Sequence, residues 1–437
     1  MSTHETKETQ QSPRDRVVVT GMGFCLPGPG TATCTSKDAW QQMSTGAVNL
    51  DHHGRFFGVV PGDVRDLVSE RCPDLKARYL DKYNHAQHYG LVSMLEALAQ
   101  AELTPTSPEL SGAAVLTGRH GLDEPVVAYS NALAADSSTT AEAARDLIAR
   151  TMLAGNTMDV FLAQATLLSS TGPAFTLSAS CATTGILIGS ALQLIRTGES
   201  DLVVVTGADH YDPGRMAHFQ ELAKTAVADL DGSFTGVVDA LQMRPYDRAP
   251  GGPNVGNGAA TIILERETSA RERGAAPLSR ITAQSTRRGP LRSAMAVDLK
   301  GWGAVAAARR CLAVAGATPD QVDYINGGAE GDLSLQKMEF HALREVFGER
   351  AATLPVSSQE ACFGHSGAPL GVLGVAATTM MLQRQQLCPT AGCREVDPDC
   401  TFDVVTGDAP RDADLRYALS FNYGTGMVSS AVLVEAL

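Results

Sequence analysis

The chain has 437 residues, 44% of them hydrophobic and only 5% aromatic, and a formal net charge of -13 at pH 7. Such a length can bury a large core, and the acidic balance argues against a nucleic acid or an anionic membrane as the principal partner. Nine cysteines, an odd number without a Cys-x-x-Cys pair or a Cys/His cluster at metal spacing, suggest neither a disulfide framework nor a structural zinc site. Reduced thiols in a cytoplasmic setting are expected, and neither an apolar leader nor an 18-residue apolar run supports secretion or membrane spanning.

Residues 1–15 are polar and read as a disordered tail. Arg16–Gly23 is a β-branched run ending in a glycine turn, and Asp74–Gln100 has one continuous helical period. Ala113–Gly118 reads as a buried strand, Ala141–Ala154 as helical, and Phe161–Leu168 as a shorter helix. The stretch Phe175–Asp209 organises the chain: a β-suited run, a Ser-Ala-Ser-Cys corner, a helix over Ala182–Thr197 closed by Gly198, and a buried strand at Leu202–Thr206. Cys181 thus falls at a helix N-terminus, where free backbone N–H groups and the helix dipole favour thiolate, the placement of a nucleophile. A buried core cysteine is the alternative reading of the residue itself.

The glycine-rich run Arg244–Arg266 invites a phosphate-loop reading, but it lacks the Gly-Lys-Ser/Thr ending and no helix follows it. Beyond it, strands near Arg280–Gln284, Asp323–Asn326 and Leu354–Ser358 alternate with helices near Ala304–Ala315, Leu333–Phe347 and Gly371–Arg384. The closing YALSFNYGTGMVSSAVLVE echoes GNGAATIILE, so an α/β fold made of two similar halves, 16–267 and 268–437, is expected.

The segment SCATTGILIGSALQLIRTGESDLVVVTGAD resembles the nucleophile region of β-ketoacyl synthases, the thiolase-fold condensing enzymes, which read A-C-A-T-G, a helix and D-x-V-V-x-G-G. RVVVTGMG, RPYDRAPGGPNVGNGAATIILER and VSSQEACFGHSGAPLG resemble further family segments. The resemblance implies a thiolase-like fold of duplicated βαβαβ halves in α/β/α/β/α layers, with Cys181 as acyl acceptor and His365 as one of two catalytic histidines. It also implies an oxyanion hole and a gate at NYGTGM, where Gly424 and Thr425 stand, and a substrate and pantetheine pocket that includes Gly328 and Asp332. Arg71, Lys76, Arg78 and Lys82 match the segment facing the carrier protein in relatives; an ordinary solvated helix face is the alternative.

The departures lie in the second half. DYINGGAEGDLSLQKMEFHALREVFGE aligns without a gap to the family's segment but puts Gly328 where the first histidine belongs. Glu330 and Asp332 replace two tunnel threonines, and Glu360 replaces a lysine. Removing an electrostatic stabiliser of the decarboxylation enolate typically costs about 10²–10³ in rate, which argues against ordinary chain elongation. A carboxylate near the thioester, Glu330 first, would instead serve as a general base.

The expectation is a non-elongating ketosynthase-like enzyme that takes a chain from an acyl or peptidyl carrier protein onto Cys181 and releases it by cyclisation. In this it resembles the cyclising ketosynthases proposed for salinosporamide-type γ-lactam-β-lactones. Intermolecular acyl transfer or thioester hydrolysis, and a non-catalytic partner subunit of a synthase, are the alternatives. The resemblance further implies a homodimer, no metal and no organic cofactor beyond the carrier's phosphopantetheine.

Overall fold

The computed structural model describes residues 16–52, 56–73, 75–120, 154–155, 157–214, 241–291 and 297–437. The expected tail at 1–15 and nearly all of the helix expected at Ala141–Ala154 lie outside them. The first half contributes β1 (Val17–Cys25), β2 (Ala114–Gly118), β3 (Ala174–Leu177), β4 (Leu202–Asp209) and β5 (Gly258–Arg266). The second contributes β6 (Ser279–Arg288), β7 (Tyr324–Asn326), β8 (Pro355–Ser357), β9 (Tyr417–Gly424) and β10 (Val428–Glu435).

From the outer edge inward the strands run 3-2-4-5-1 in one half and 8-7-9-10-6 in the other, the same order displaced by five. In each half the outer three strands are parallel and the inner two antiparallel. The halves meet where β1 pairs antiparallel with β6, Val17 opposite Ile281, Val18 opposite Arg280 and Val19 opposite Ser279. With the two-residue edge strand Asp403–Val404 beside β8, this makes one eleven-stranded sheet in connectivity.

Helix α1 (His85–Gln100) covers the outer face of β1, β4 and β5; α2 (Asp159–Leu168) packs beside it. Between the halves lie α3 (Thr183–Thr197) and α6 (Leu370–Arg384), packed on each other; α4 (Trp302–Ala315) covers β6 and β10, next to α5 (Leu333–Phe347). Three apolar cores follow from the layering: one around α1, one around α3 and α6, one around α4 and α5. The long helix expected over Asp74–Gln100 is instead broken. Ala77–Leu80 forms a separate turn, and α1 starts after Asn84, whose side chain accepts from Gln87 N while Gln87 returns a bond to Asn84 N. That reciprocal cap satisfies N–H groups that the break leaves without an intrahelical acceptor.

Candidate active site

Between β3 and α3 the chain turns through Ser180, a non-glycine residue at φ 54°, and this left-handed step aims neighbouring side chains into the space between the halves. Thr183 Oγ1 accepts from Ala179 N at 2.8 Å and donates to Ser180 O at 2.5 Å, which fixes the corner. One residue on, Thr184 Oγ1 donates to Ala368 O at 2.5 Å and accepts from Val372 N at 3.1 Å. The N-terminal ends of α3 and α6 are therefore tied together, and each brings the loop before it to the same point.

At that point Cys181 Sγ lies 2.8 Å from His365 Nε2. The glycine-rich run supports this loop: His365 N donates to Asn254 O at 2.7 Å, and Gly256 N donates to His365 O at 3.1 Å. A Cβ on Gly256 would sit 2.3 Å from Phe363 O, so only glycine allows the approach. On the far side of the ring, Nδ1 faces Glu330 Oε2 at 2.6 Å and Glu360 Oε2 at 2.8 Å. Burial opposes a charge on His365, yet the sulfur of Cys181 and the two carboxylates together raise its pKa well above the ordinary imidazole value. Burial pushes Glu360 up to about 7, against the pull of His365. Glu330, Glu360 and His365 are also the set among the described residues whose donor atoms lie within 4.8 Å of one another, close enough to ligate one ion. A single proton on Nδ1 satisfies the same geometry.

Gly328 does not leave an open space. Its N–H donates to Glu339 Oε1 at 2.9 Å, and a Cβ there would lie 2.7 Å from the ring of Tyr423, whose hydroxyl donates to the same carboxylate oxygen at 2.8 Å. Tyr246 holds the other oxygen, donating to Glu339 Oε2 at 2.6 Å. Asp332, expected in the pantetheine pocket, is 7% exposed and caps α5 by accepting from Leu335 N at 2.9 Å; its side chain belongs to the helix end, as an aspartate at an N-cap does. Thr425 reaches the nucleophile corner, its hydroxyl 2.9 Å from Ser180 Oγ. Gly424 presses on the same corner, since a Cβ would stand 2.8 Å from Ala179 O.

The description "Beta-ketoacyl synthase, N-terminal domain" matches residues 14–270, and "Beta-ketoacyl synthase, C-terminal domain" matches residues 278–394. The chain belongs to the β-ketoacyl synthase family. Nodulation protein E of Rhizobium meliloti (strain 1021) is 28% identical over 418 residues, 94% of this chain and 96% of the relative. The tetracenomycin polyketide synthase ketoacyl synthase alpha subunit of Streptomyces glaucescens is 27% identical over 433 residues, 96% of each chain. Among solved structures, a β-ketoacyl synthase from Burkholderia phymatum STM815 superposes with a TM-score of 0.79 at 21% identity, covering 97% of this chain and 99% of that one. A type II polyketide synthase acyl-carrier protein in complex with its ketosynthase bound to the hexaketide gives 0.78 at 18% identity, with the same coverage. The fold is thiolase-like, as in these ketosynthases.

The residues expected to face a carrier protein are disposed unevenly. Arg71 is an ion-pair partner of Glu96, a mostly buried carboxylate, so its charge is largely committed inward. Lys76 is exposed just before the Ala77–Leu80 turn that contains Arg78, and Lys82 is half-buried. Nearby, Arg65 pairs with Asp63. Among the described residues no helix is long and apolar enough to cross a membrane.

Sequence reasoning missed a second polar cluster at the C-terminal ends of β2 and β4. Arg119, fully buried, donates to Asp159 Oδ1 at 3.0 Å and to Asp209 Oδ1 at 2.8 Å. Asp209 also accepts from His120 N at 2.9 Å and from Ala368 N at 2.8 Å, so it links β2 to the start of α6. His120 Nδ1 lies 2.9 Å from the Tyr211 hydroxyl, and its Nε2 is 3.4 Å from Ser180 Oγ. The available signal was Arg-His and Asp-His-Tyr immediately after two buried parallel strands, the end of an α/β sheet at which sites form.

Proposed function

We propose that this ketosynthase accepts an acyl or peptidyl chain from carrier-bound phosphopantetheine onto Cys181 and releases it by intramolecular closure, without condensing it with a malonyl unit. One observation carries the reading: the cysteine keeps its histidine at 2.8 Å, while the place of the second imidazole is a glycine with a tyrosine ring against it. A proton held on His365 leaves the sulfur nucleophilic, so thioester exchange has what it needs. Enolate stabilisation after decarboxylation does not.

The two carboxylates fit such a step. The N–H at Nδ1 satisfies one acceptor at a time, and a Glu360 titrating near 7 retains a proton over part of the neutral range. Glu330, the carboxylate nearer to Nδ1, is then the base that takes a proton from a carbon of the bound chain, and carbon–carbon closure or lactone formation at the thioester follows. A partner subunit without catalysis would have no use for the Cys181–His365 pair. Docking of an acidic carrier near Lys76, Arg78 and Lys82, and pairing of two copies, belong to the same proposal. Among the described residues no strand pairs with the outer edge of β3, and Phe175 there is 39% exposed, which supports the pairing.

The test is intact mass spectrometry after incubation with a panel of acyl- and peptidyl-loaded carrier proteins, followed by analysis of the released product. A covalent adduct on Cys181 and a product lighter by one water than the free acid support closure. The free acid identifies a hydrolase, transfer to a second acceptor identifies an acyltransferase, and a chain lengthened by two carbons overturns the reading.

A further inference from the structure

A second imidazole, that of His120, faces the nucleophile corner. The Tyr211 hydroxyl meets both Asp209 and His120 Nδ1, and its pKa is raised well above the ordinary phenol value by burial and by Asp209. It is therefore a phenol with one proton, which the Asp209 carboxylate accepts, since that carboxylate is balanced by Arg119. His120 Nδ1 must then donate to the phenol oxygen, and Nε2 is left with its lone pair turned toward Ser180 Oγ at 3.4 Å. Ser180 Oγ in turn stands 3.5 Å from Cys181 Sγ and 2.9 Å from Thr425 Oγ1. The chain Asp209–Tyr211–His120–Ser180 thus ends next to the carbonyl of any thioester formed on Cys181.

We propose that His120, acting through Ser180, is the proton acceptor for the oxygen nucleophile that releases the chain from Cys181. The inference rests on Cys181 carrying the acyl group. In the step, an oxygen of the chain or of water attacks the thioester carbon and its O–H bond breaks. Its proton passes to Ser180 Oγ as the Ser180 proton passes to His120 Nε2. The oxygen's lone pair forms the new C–O bond; the C–S bond breaks, and the sulfur leaves with the C–S bonding pair and takes the proton held on His365. His120 returns its proton through its solvent-exposed edge. Desolvation of the ring's inner edge, together with His365 and Arg119, lowers the pKa of His120 below the ordinary imidazole value against the pull of Asp209, which favours the free base. Among the described residues the charged and titratable groups that act on His120 or on the Tyr211 hydroxyl beside it are Arg119, Asp209, His365 and Cys181.

Hexanoyl-pantetheine separates the two steps, with water as the oxygen nucleophile. Loading of Cys181 and loss of the hexanoyl group are followed by intact mass in rapidly desalted enzyme across a range of pH. Wild-type release should rise through an acidic limb below the ordinary histidine pKa. His120→Asn and Ser180→Ala should load at the wild-type rate, release on the order of 10²-fold more slowly, and lose that limb. Tyr211→Phe should displace the limb while keeping release measurable. Should His120→Asn fail to fold, Ser180→Ala and Tyr211→Phe decide the matter. Loading followed by wild-type release with an unchanged pH profile in those variants overturns the relay alone; a wild type that never loads overturns the Cys181 reading and the relay with it.

Discussion

Cys181 Sγ and His365 Nε2 stand 2.8 Å apart although 184 residues separate them, and the other nitrogen of the same ring faces two carboxylates. The ring therefore relays between a sulfur on one side and an acidic pair on the other. Cys181→Ala is expected to give no acyl adduct by intact mass. His365→Asn should load on the order of 10²-fold more slowly, the usual contribution of a positioned acid–base group. Glu330→Gln should load normally and stall before product; normal product formation by that variant would remove Glu330 from the chemistry.

Restoring a histidine at position 328 should not restore condensation. The Cβ would press on the ring of Tyr423, and that ring cannot swing aside while its hydroxyl is held by Glu339. Gly328→His is expected to lose about 1–3 kcal/mol of stability, the range for overpacking a filled site, and to show no malonyl decarboxylation. Urea unfolding and carbon dioxide release from malonyl-pantetheine check the two halves of the statement. A stable variant that decarboxylates would mean that only the missing imidazole blocks elongation.

The duplication was legible because each half ends in the same glycine turn and strand, and because the apolar runs are short enough to be strands; the strand order within each half was not. Helix Leu333–Phe347 was placed to the residue for a similar reason: an aspartate precedes it and a glycine follows. That same aspartate has a structural task that the alignment did not show. Aligned to a tunnel threonine, Asp332 reads as a pocket residue, whereas the unsatisfied N–H groups at the start of α5 claim its carboxylate. The break at Asn84 escaped notice because the apolar period runs on either side of it, and the cap is a side-chain bond that periodicity does not register. The Asp209–Tyr211–His120 chain was illegible for another reason. Its members come from two parallel strand ends 89 residues apart, and only the sheet order brings them together.

Arg119 lies at the centre of that hidden cluster, with Asp159 and Asp209 both fully buried against it. Removing the cation leaves two carboxylates uncompensated, which typically costs about 3–5 kcal/mol. Arg119→Met is expected to lower the urea midpoint accordingly, and Asp159→Asn to lower it less, because one carboxylate still balances the guanidinium. Equal stability of Arg119→Met and wild type would mean that the pair Asp159 and Asp209 takes up protons at little cost.

The carboxylate pair around His365 has a signature in the pH dependence of stability. Glu360 titrates near 7 in the folded chain against about 4.5 for an ordinary glutamate, so the folded state binds its proton more tightly. That contribution is fully present below about pH 4.5 and is lost as the pH rises toward 7. His365, also raised, acts in the same sense: its contribution is complete below about pH 6.5 and is lost only as the pH climbs through its folded pKa. Stability should therefore decline from mildly acidic to mildly alkaline pH, measured as the urea midpoint at a series of pH values. Glu360→Gln, which cannot ionise, should flatten the decline between about pH 5 and 7 while the limb above it, due to His365 and still supported by Glu330, remains. A wild-type midpoint that rises over the lower interval would mean that Glu360 is ionised throughout, and the shared-proton arrangement at Nδ1 would have to be replaced by two full negative charges on one imidazolium.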